Sequence, residues 1–305
     1  MKTIPYKTDA EWHALRAQNV GASESAGLLH CQAEYQMSAY TLWHVKSGRI
    51  DPPDVKGERV KWGKRLEQVI AEAACEEYGW QSGAGGYVVH PTLKGMACTL
   101  DHVIFAGPEA EQFGGPGCLE VKNTDWLIHR RQWTEDEPPV HIIVQLQHQL
   151  ACADYDWGVV VSLVGGNRLE RYVYERRPKL IGAIENRIAE FWKSIEADEQ
   201  PGVDNSTSAA ATLKTLYGQA INGKAFDFTQ SQEFSDRVYQ LNQARLDKKA
   251  SEANERAAAN WILNEMGEAE VGVSDGVEIL TAKTSQRKGF TVEPTTCRTI
   301  RLKEI

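Results

Sequence analysis

The 305-residue sequence has no C-x-x-C pair, no long apolar run and no surplus of basic residues. Its six cysteines (Cys31, Cys75, Cys98, Cys118, Cys152 and Cys297) are scattered, which excludes a zinc knuckle and an iron–sulfur cluster and suggests no disulfide framework. Most read as small buried hydrophobes. No stretch approaches the apolar length needed to cross a bilayer, and the opening MKTIPYKTDAEWHALR has no hydrophobic signal core. An intracellular protein without membrane contact is expected. A net charge of −8 excludes a simple basic nucleic-acid coat. It leaves DNA binding open, because a metal site needs its own carboxylates and a basic surface can be local. Lys61, Lys64 and Arg65 cluster, as do Arg130 and Arg131, and each group fits either a nucleic-acid contact or a solvated helix face. With 42% hydrophobic and 25% charged residues, the composition is that of an ordinary globular chain. The length suffices for one large core with an appendage, or for two modest domains.

Residues 9–29 read as a short helix, a turn over 19–22 and a second helix opened by Ser23, whose hydroxyl suits an N-cap. Residues 40–47 read as a helix and 48–57 (GRIDPPDVKG) as a loop. Over 61–78 the apolar period is that of an amphipathic helix, with Trp62, Leu66, Val69, Ile70 and Ala73 as its buried stripe and Glu67 beside it. Residues 126–137 are polar with two tryptophans and stop at Pro138-Pro139. A helix over 140–153 carries Gln145, Gln147, His148 and Gln149. Residues 158–164 and 168–175 form a hairpin around Gly165-Gly166-Asn167, and 178–195 form a helix with Ile181, Ile184, Ile188, Phe191, Trp192 and Ile195 on one side. Composition changes at 196–212 (EADEQPGVDNSTSAAAT), the best linker candidate. Beyond it, 230–266 reads as one long helix whose Ala-rich stretch, 250–261, suits packing against a neighbour. Residues 269–305 are β-prone and fit a hairpin or small sheet, and no internal repeat is visible.

Chemistry concentrates on Asp101 and the tripeptide Glu120-Val121-Lys122. Residues 96–105 (MACTLDHVIF) and 117–123 (GCLEVKN) both read as strands, separated by the Gly- and Pro-rich stretch 106–116. A hairpin folded near residues 110–111 brings Asp101 opposite Glu120. Side chains two apart on a strand share a face, so Glu120 and Lys122 point the same way and Val121 points into the core. Two carboxylates and one ammonium then converge. Hard cations such as Mg²⁺ bind paired oxygen anions, and a transferring phosphoryl group needs a nearby cation. The same three residues also fit a solvated cross-strand charge network, so the surrounding sequence must decide.

Four further features bear on the choice. Glu67 lies on a helix preceding the acidic hairpin, where a third carboxylate reaches a metal or simply faces solvent. Gln145 follows Lys122 on the next helix, where an amide orients a water or phosphate, although its glutamine neighbours compete for that role. Arg16 and Ser23 offer a guanidinium and a helix-start hydroxyl, a pair that suits a terminal phosphate but also a surface salt bridge and a helix cap.

Order and spacing distinguish these readings. The series W-H-x-L-R-x(4)-G-A-S-E (residues 12–24), W-G-K-x-x-E (62–67), T-x-D (99–101), L-E-V-K (119–122) and Q-x-Q (145–147) resembles the lambda-type exonucleases. More broadly it resembles the YqaJ-type viral recombinase family of phages and prophages, within the PD-(D/E)xK nuclease superfamily. No single motif is specific; the conjunction, spanning residues 10–200, is. The resemblance implies metal-binding carboxylates at Asp101 and Glu120, with the Val121 backbone carbonyl as a further ligand. It implies that Lys122 positions or activates the attacking water, and that Glu67 at the site's edge serves a second metal. It implies that Arg16, Ser23, Thr99 and Gln145 form the pocket that holds a 5′-phosphate end. Two departures stand out: Leu100 replaces the superfamily proline before the aspartate, and Thr99 replaces a serine, keeping the hydroxyl and adding a methyl.

The expected fold is α/β: a PD-(D/E)xK nuclease core over residues 1–200, with a central mixed sheet flanked by helices, and a C-terminal helical and β-hairpin extension over 201–305 for assembly or partner binding. The expected function is Mg²⁺-dependent (or Mn²⁺-dependent) 5′-to-3′ resection of one strand of linear duplex DNA for phage-type recombination in a bacterial cytoplasm. Duplex ends, a single-strand annealing protein and sister subunits, in a trimer as first guess, are the implied partners. The rivals are an endonuclease of the same superfamily, restriction or junction-resolving, and a non-catalytic DNA-binding module. Lys122 argues against the last, since a dead site has no need of it.

Overall fold

The computed structural model describes residues 1–305 except 55–56, 287–288, 290–297, 299 and 301–305. The chain divides into two compact units, residues 1–216 and 217–305. In the first, β1 (Lys2–Ile4) precedes α1 (Asp9–Ala17), whose first turn is capped by the Thr8 hydroxyl accepting from the Glu11 amide. A 3₁₀ turn (Ala22–Glu24) leads into α2 (Ser25–Leu28), then α3 (Ala39–Lys46), capped by Ser38, and α4 (Glu58–Tyr78), ended by Gly79 in the left-handed region. Next come β2 (Gln81–Val89), β3 (Ala97–Ala106), α5 (Pro108–Phe113) and β4 (Gly117–Thr124). Then follow α6 (Trp126–Gln132), α7 (Val140–Ala153), β5 (Trp157–Val164), β6 (Arg168–Glu175), α8 (Pro178–Glu196) and α9 (Thr207–Tyr217).

Six strands form one sheet in sequence order, antiparallel throughout except for β4 and β5. A parallel neighbour needs a crossover, and α6 and α7 supply it between β4 and β5. Both faces of the centre are covered, so β5 reads as an apolar run broken only by Ser162, with Val159, Val160 and Val161 all buried. One core packs α2, α3, α7 and α8 against the sheet through Leu42, Trp43, Leu146, Leu150, Ile184 and Ile188. The other packs α4 on the opposite face through Ile70, Ala71, Ala74, Leu119, Val121 and Trp157. The mixed α/β architecture expected from the sequence is therefore observed. The second unit holds α10 (Phe234–Met266), with no buried residue, and a hairpin of β7 (Val271–Ser274) and β8 (Val277–Thr281).

Several expectations need correction. The 106–116 connection is not a plain turn but contains α5, which Pro108 opens and Gly114, left-handed, closes. Strand β2 carries no alternating pattern because Gly83, Gly85 and Gly86 break it, yet it pairs along β3. Gly85 is needed there: a side chain would collide with the Leu100 backbone. The buried stripe of α4 is rotated from the expected one. Leu66, Ile70, Ala71 and Ala74 face inward, whereas Trp62, Val69 and Ala73 are exposed. Ser23 caps no helix; it lies exposed inside the 3₁₀ turn that Gly21 precedes. The long helix is real, but its Ala-rich stretch is exposed rather than packed, since its apolar residues follow no single face. The β-prone tail forms β7 and β8, and most of its remainder, with Cys297, lies outside the described residues.

The expected linker and the 200/201 boundary also move. Residues 207–217 form α9, and its small side chains dock on α3. The Ser38 amide donates to Ser208 Oγ at 3.0 Å and Thr212 Oγ1 donates to Thr41 Oγ1 at 3.0 Å, while Ala209 and Thr212 are buried. A chain ended at Leu216 is expected to melt cooperatively near the full-length temperature. One ended at Gln200 is expected to melt about 5 °C lower or more in calorimetry, because it uncovers α3.

Candidate active site

The β3–β4 ladder runs only from His102–Leu119 to Ile104–Gly117. One step further, Asp101 stands opposite Glu120, in the register that a fold near residues 110–111 predicts. There the Asp101 carboxylate, not a backbone carbonyl, accepts the Val121 amide at 2.9 Å. A strand residue's N–H and C=O project to the same edge, so the Val121 carbonyl faces this opened side as well.

Glu120 is 2% exposed and takes three donors. Its Oε1 accepts from Lys122 Nζ at 2.5 Å and from Gln145 Nε2 at 2.6 Å, and its Oε2 accepts from Gln149 Nε2 at 2.5 Å. Lys122 Nζ also donates to Gln145 Oε1 at 3.2 Å. Burial and the Glu120 charge push the Asp101 carboxyl well above the ordinary carboxylate range. Burial opposes the Lys122 charge, but Glu120 and Asp101 outweigh it and hold the ammonium above its usual value. Glu67, half-buried on α4, is also raised, by burial and then by Glu120.

These groups fit a hard divalent cation. A buried acid, Glu120, and a half-buried one, Asp101, share one ammonium, and their mutual repulsion marks a site short of positive charge. Mg²⁺ needs only one or two carboxylates when water and substrate phosphate complete its shell. Among the described residues no group of three or more His, Cys, Asp or Glu side chains converges on one point, so Glu67 does not join Asp101 and Glu120 in a three-acid cage.

Arg16, Ser23, Thr99 and Gln145 line a single cavity of about 80 Å³, together with Trp12, Gly21 and Tyr87. Trp12 Nε1 donates to Thr99 Oγ1 at 2.9 Å, and the Arg16 guanidinium lies 4.7 Å over the Trp12 ring. Tyr87 donates its hydroxyl to the Leu15 carbonyl, and burial pushes its pKa up to about 12. Gln145 belongs to both places: it lines the cavity and bonds Glu120 and Lys122.

Sequence reasoning does not single out Gln149, Glu24, Lys46 or His148. Gln149 was legible in part, since it follows Gln145 by four residues and so shares its helix face. His148 fixes the helix that carries both amides. Its Nε2 donates to the Ala97 carbonyl at 3.0 Å, so Nδ1 is free to accept the Ser25 hydroxyl at 2.6 Å. The basic groups Lys61, Lys64, Arg65, Arg130 and Arg131 are all exposed.

Residues 11–156 match the YqaJ-like viral recombinase domain. The uncharacterized protein YqaJ of Bacillus subtilis (strain 168) is 27% identical over 270 residues, covering 86% of this chain and 79% of that protein. An alkaline exonuclease from Laribacter hongkongensis (LHK-Exo) has a similar fold, with a TM-score of 0.52 at 22% identity over 62% of this chain and 94% of that one. A structure of LHK-Exo in complex with dAMP gives 0.51 at 24% identity, with the same coverage. No helix among the described residues is long and apolar enough to cross a membrane.

Burial lowers the His148 pKa from 6.5 to about 4. A base depressed in the folded state contributes stability in full above about pH 6.5 and loses it as pH falls towards about 4, some 3 kcal/mol over that window. Melting temperatures between pH 7 and pH 4 should therefore fall more steeply for the native protein than for His148→Asn, even though the variant starts lower at pH 7.

Proposed function

We propose, from the match of residues 11–156 to the YqaJ-like viral recombinase domain, a recombination nuclease that resects the 5′-ended strand of linear duplex DNA. The observation that carries the reading is the adjoining of two sites through Gln145: an oxygen-rich acid pair with a lysine, and a small cavity with an arginine at its wall. A cavity of that size with an arginine at its wall suits a terminal phosphate better than a continuous backbone, which favours an end-dependent enzyme over the endonuclease alternative.

Asp101 and Glu120, with the Val121 carbonyl, would hold Mg²⁺ or Mn²⁺, and such an ion supplies charge stabilisation at the phosphate. Lys122 orients the attacking water through its ammonium, and Gln145 holds that ammonium in place. Arg16, Ser23, Thr99 and Gln145 bind the 5′-phosphate, Arg16 through charge-assisted bonds. Glu67 stands at the rim, where its raised pKa fits a proton-carrying or second-cation role. The second unit serves assembly or a partner such as a single-strand annealing protein. Tyr239, Leu246, Trp261 and Leu263 stand exposed along α10, and a helix of that length seldom holds in water without burying apolar surface. A trimer of this chain is the first arrangement to test.

Digestion of linear duplex should require a divalent cation, stop with chelator and spare covalently closed circles; cutting of closed circles would favour the endonuclease reading. Lys122→Ala should leave the melting temperature within a few degrees, since the ammonium is partly exposed, yet lower kcat by about a thousandfold or more. Arg16→Ala should erase any preference for 5′-phosphorylated over 5′-hydroxyl ends; an unchanged preference would remove the phosphate assignment. Light scattering of the full chain against a chain ended at Leu216 should show loss of assembly with the metal-dependent activity retained.

A further inference from the structure

Glu24 and Lys46 do not line the cavity, yet both are tied to the arginine that does. Arg16 Nη2 donates to Glu24 Oε1 at 2.6 Å. The second Glu24 oxygen accepts from the Gly21 amide at 2.7 Å and from Lys46 Nζ at 2.9 Å. Lys46 spends its remaining donors on the Arg16 carbonyl at 2.7 Å and the Asn19 carbonyl at 2.8 Å. An ammonium has three donors, so Lys46 is fully committed. The Glu24 and Lys46 side chains are 6% and 3% exposed, whereas that of Arg16 is 29% exposed. The triad is thus buried at its base and opens to the cavity only through the guanidinium.

Stability alone is a weak explanation for this arrangement. Buried ions cost desolvation that their attraction seldom exceeds by much, and apolar side chains of similar volume pack as well. What the triad does accomplish is geometric and electrostatic. Glu24 occupies one edge of the guanidinium fork, which leaves the rest of the fork to face the cavity. Burial favours a neutral Glu24, but Lys46, Arg16 and the Gly21 amide outweigh it and keep the carboxylate ionised. A lone Glu24 carboxylate would cancel the Arg16 charge. Shared between two cations, it leaves one positive charge in surplus.

We infer that Glu24 and Lys46 are positioning residues for the DNA end: Glu24 aims Arg16 into the cavity, and Lys46 supplies the charge that keeps the pocket attractive to a 5′-phosphate. The inference rests on the phosphate reading of the cavity proposed above.

The test is binding rather than cleavage, with full-length protein in chelator and blunt duplexes bearing 5′-phosphate or 5′-hydroxyl ends. The readout is the dissociation constant for the 5′-hydroxyl end divided by that for the 5′-phosphate end. Lys46→Met, which cancels the surplus charge, should lower the ratio about tenfold. Lys46→Arg, which restores it, should recover the ratio. Glu24→Ala should also lower the ratio although it makes the pocket more positive, because Arg16 is no longer aimed. Should Lys46→Met not fold, Lys46→Gln, which keeps amide donors for the Arg16 and Asn19 carbonyls, carries the same expectation. Variants that melt lower but keep the native ratio would overturn the inference and leave the phosphate reading standing. A native protein that binds both ends equally would overturn both.

Discussion

The site depends on a gap between two central strands. Past the His102–Leu119 pair, β3 and β4 stop exchanging backbone hydrogen bonds, and the Asp101 carboxylate takes the Val121 amide in place of a carbonyl. A buried amide left without an acceptor costs about 1–3 kcal/mol, so the side chain that opens the sheet must also satisfy it. Asp101 does both. The space so created is where Glu120 and Lys122, on one face of β4, meet the amides of α7.

That space then imposes a charge problem, which is solved with one ammonium and two neutral amides. Glu120 stays buried because two glutamine amides and one ammonium satisfy its oxygens, not because a full set of countercharges surrounds it. Asp101 receives only one backbone amide, and burial and the Glu120 charge together push its carboxyl up. The amides work only if α7 is held at a fixed height above β4. His148 provides this by bridging the Ala97 carbonyl on β3 and the Ser25 hydroxyl on α2. The 3₁₀ turn next to α2 in turn carries Gly21, Ala22 and Ser23 into the cavity wall. One buried imidazole therefore ties the acid pair to the cavity.

Local chemistry made much of this legible in the sequence. A hairpin folded near residues 110–111 was enough to set Asp101 opposite Glu120, and period-two alternation put Glu120 and Lys122 on one face. The glutamine face of α7 follows from i and i+4 spacing. What sequence could not reveal were features whose partners lie far apart or whose side chains are small. Strand β2 hides behind three glycines, one of which is required by the close approach of Leu100. Helix α9 resembled a linker because serine, threonine and alanine are loop-compatible, yet they are also the residues that let α9 approach α3 through Ser208 and Thr212. Lys46 carries no signal of its own at the end of a helix, and only the fold brings it to Glu24, 22 positions earlier.

Gln145 shows how closely the two halves of the site are coupled. Its carbonyl oxygen accepts from Lys122, which sets the amide orientation and directs Nε2 towards Glu120. A side-chain amide nitrogen carries two hydrogens, and Glu120 takes one. Gln145 also lines the cavity. On the reading proposed above, the same side chain that steadies the metal-binding carboxylate also meets the bound end. Seating the strand and setting the acid pair are then one event at one side chain, and no substitution at Gln145 can alter the first without disturbing the second.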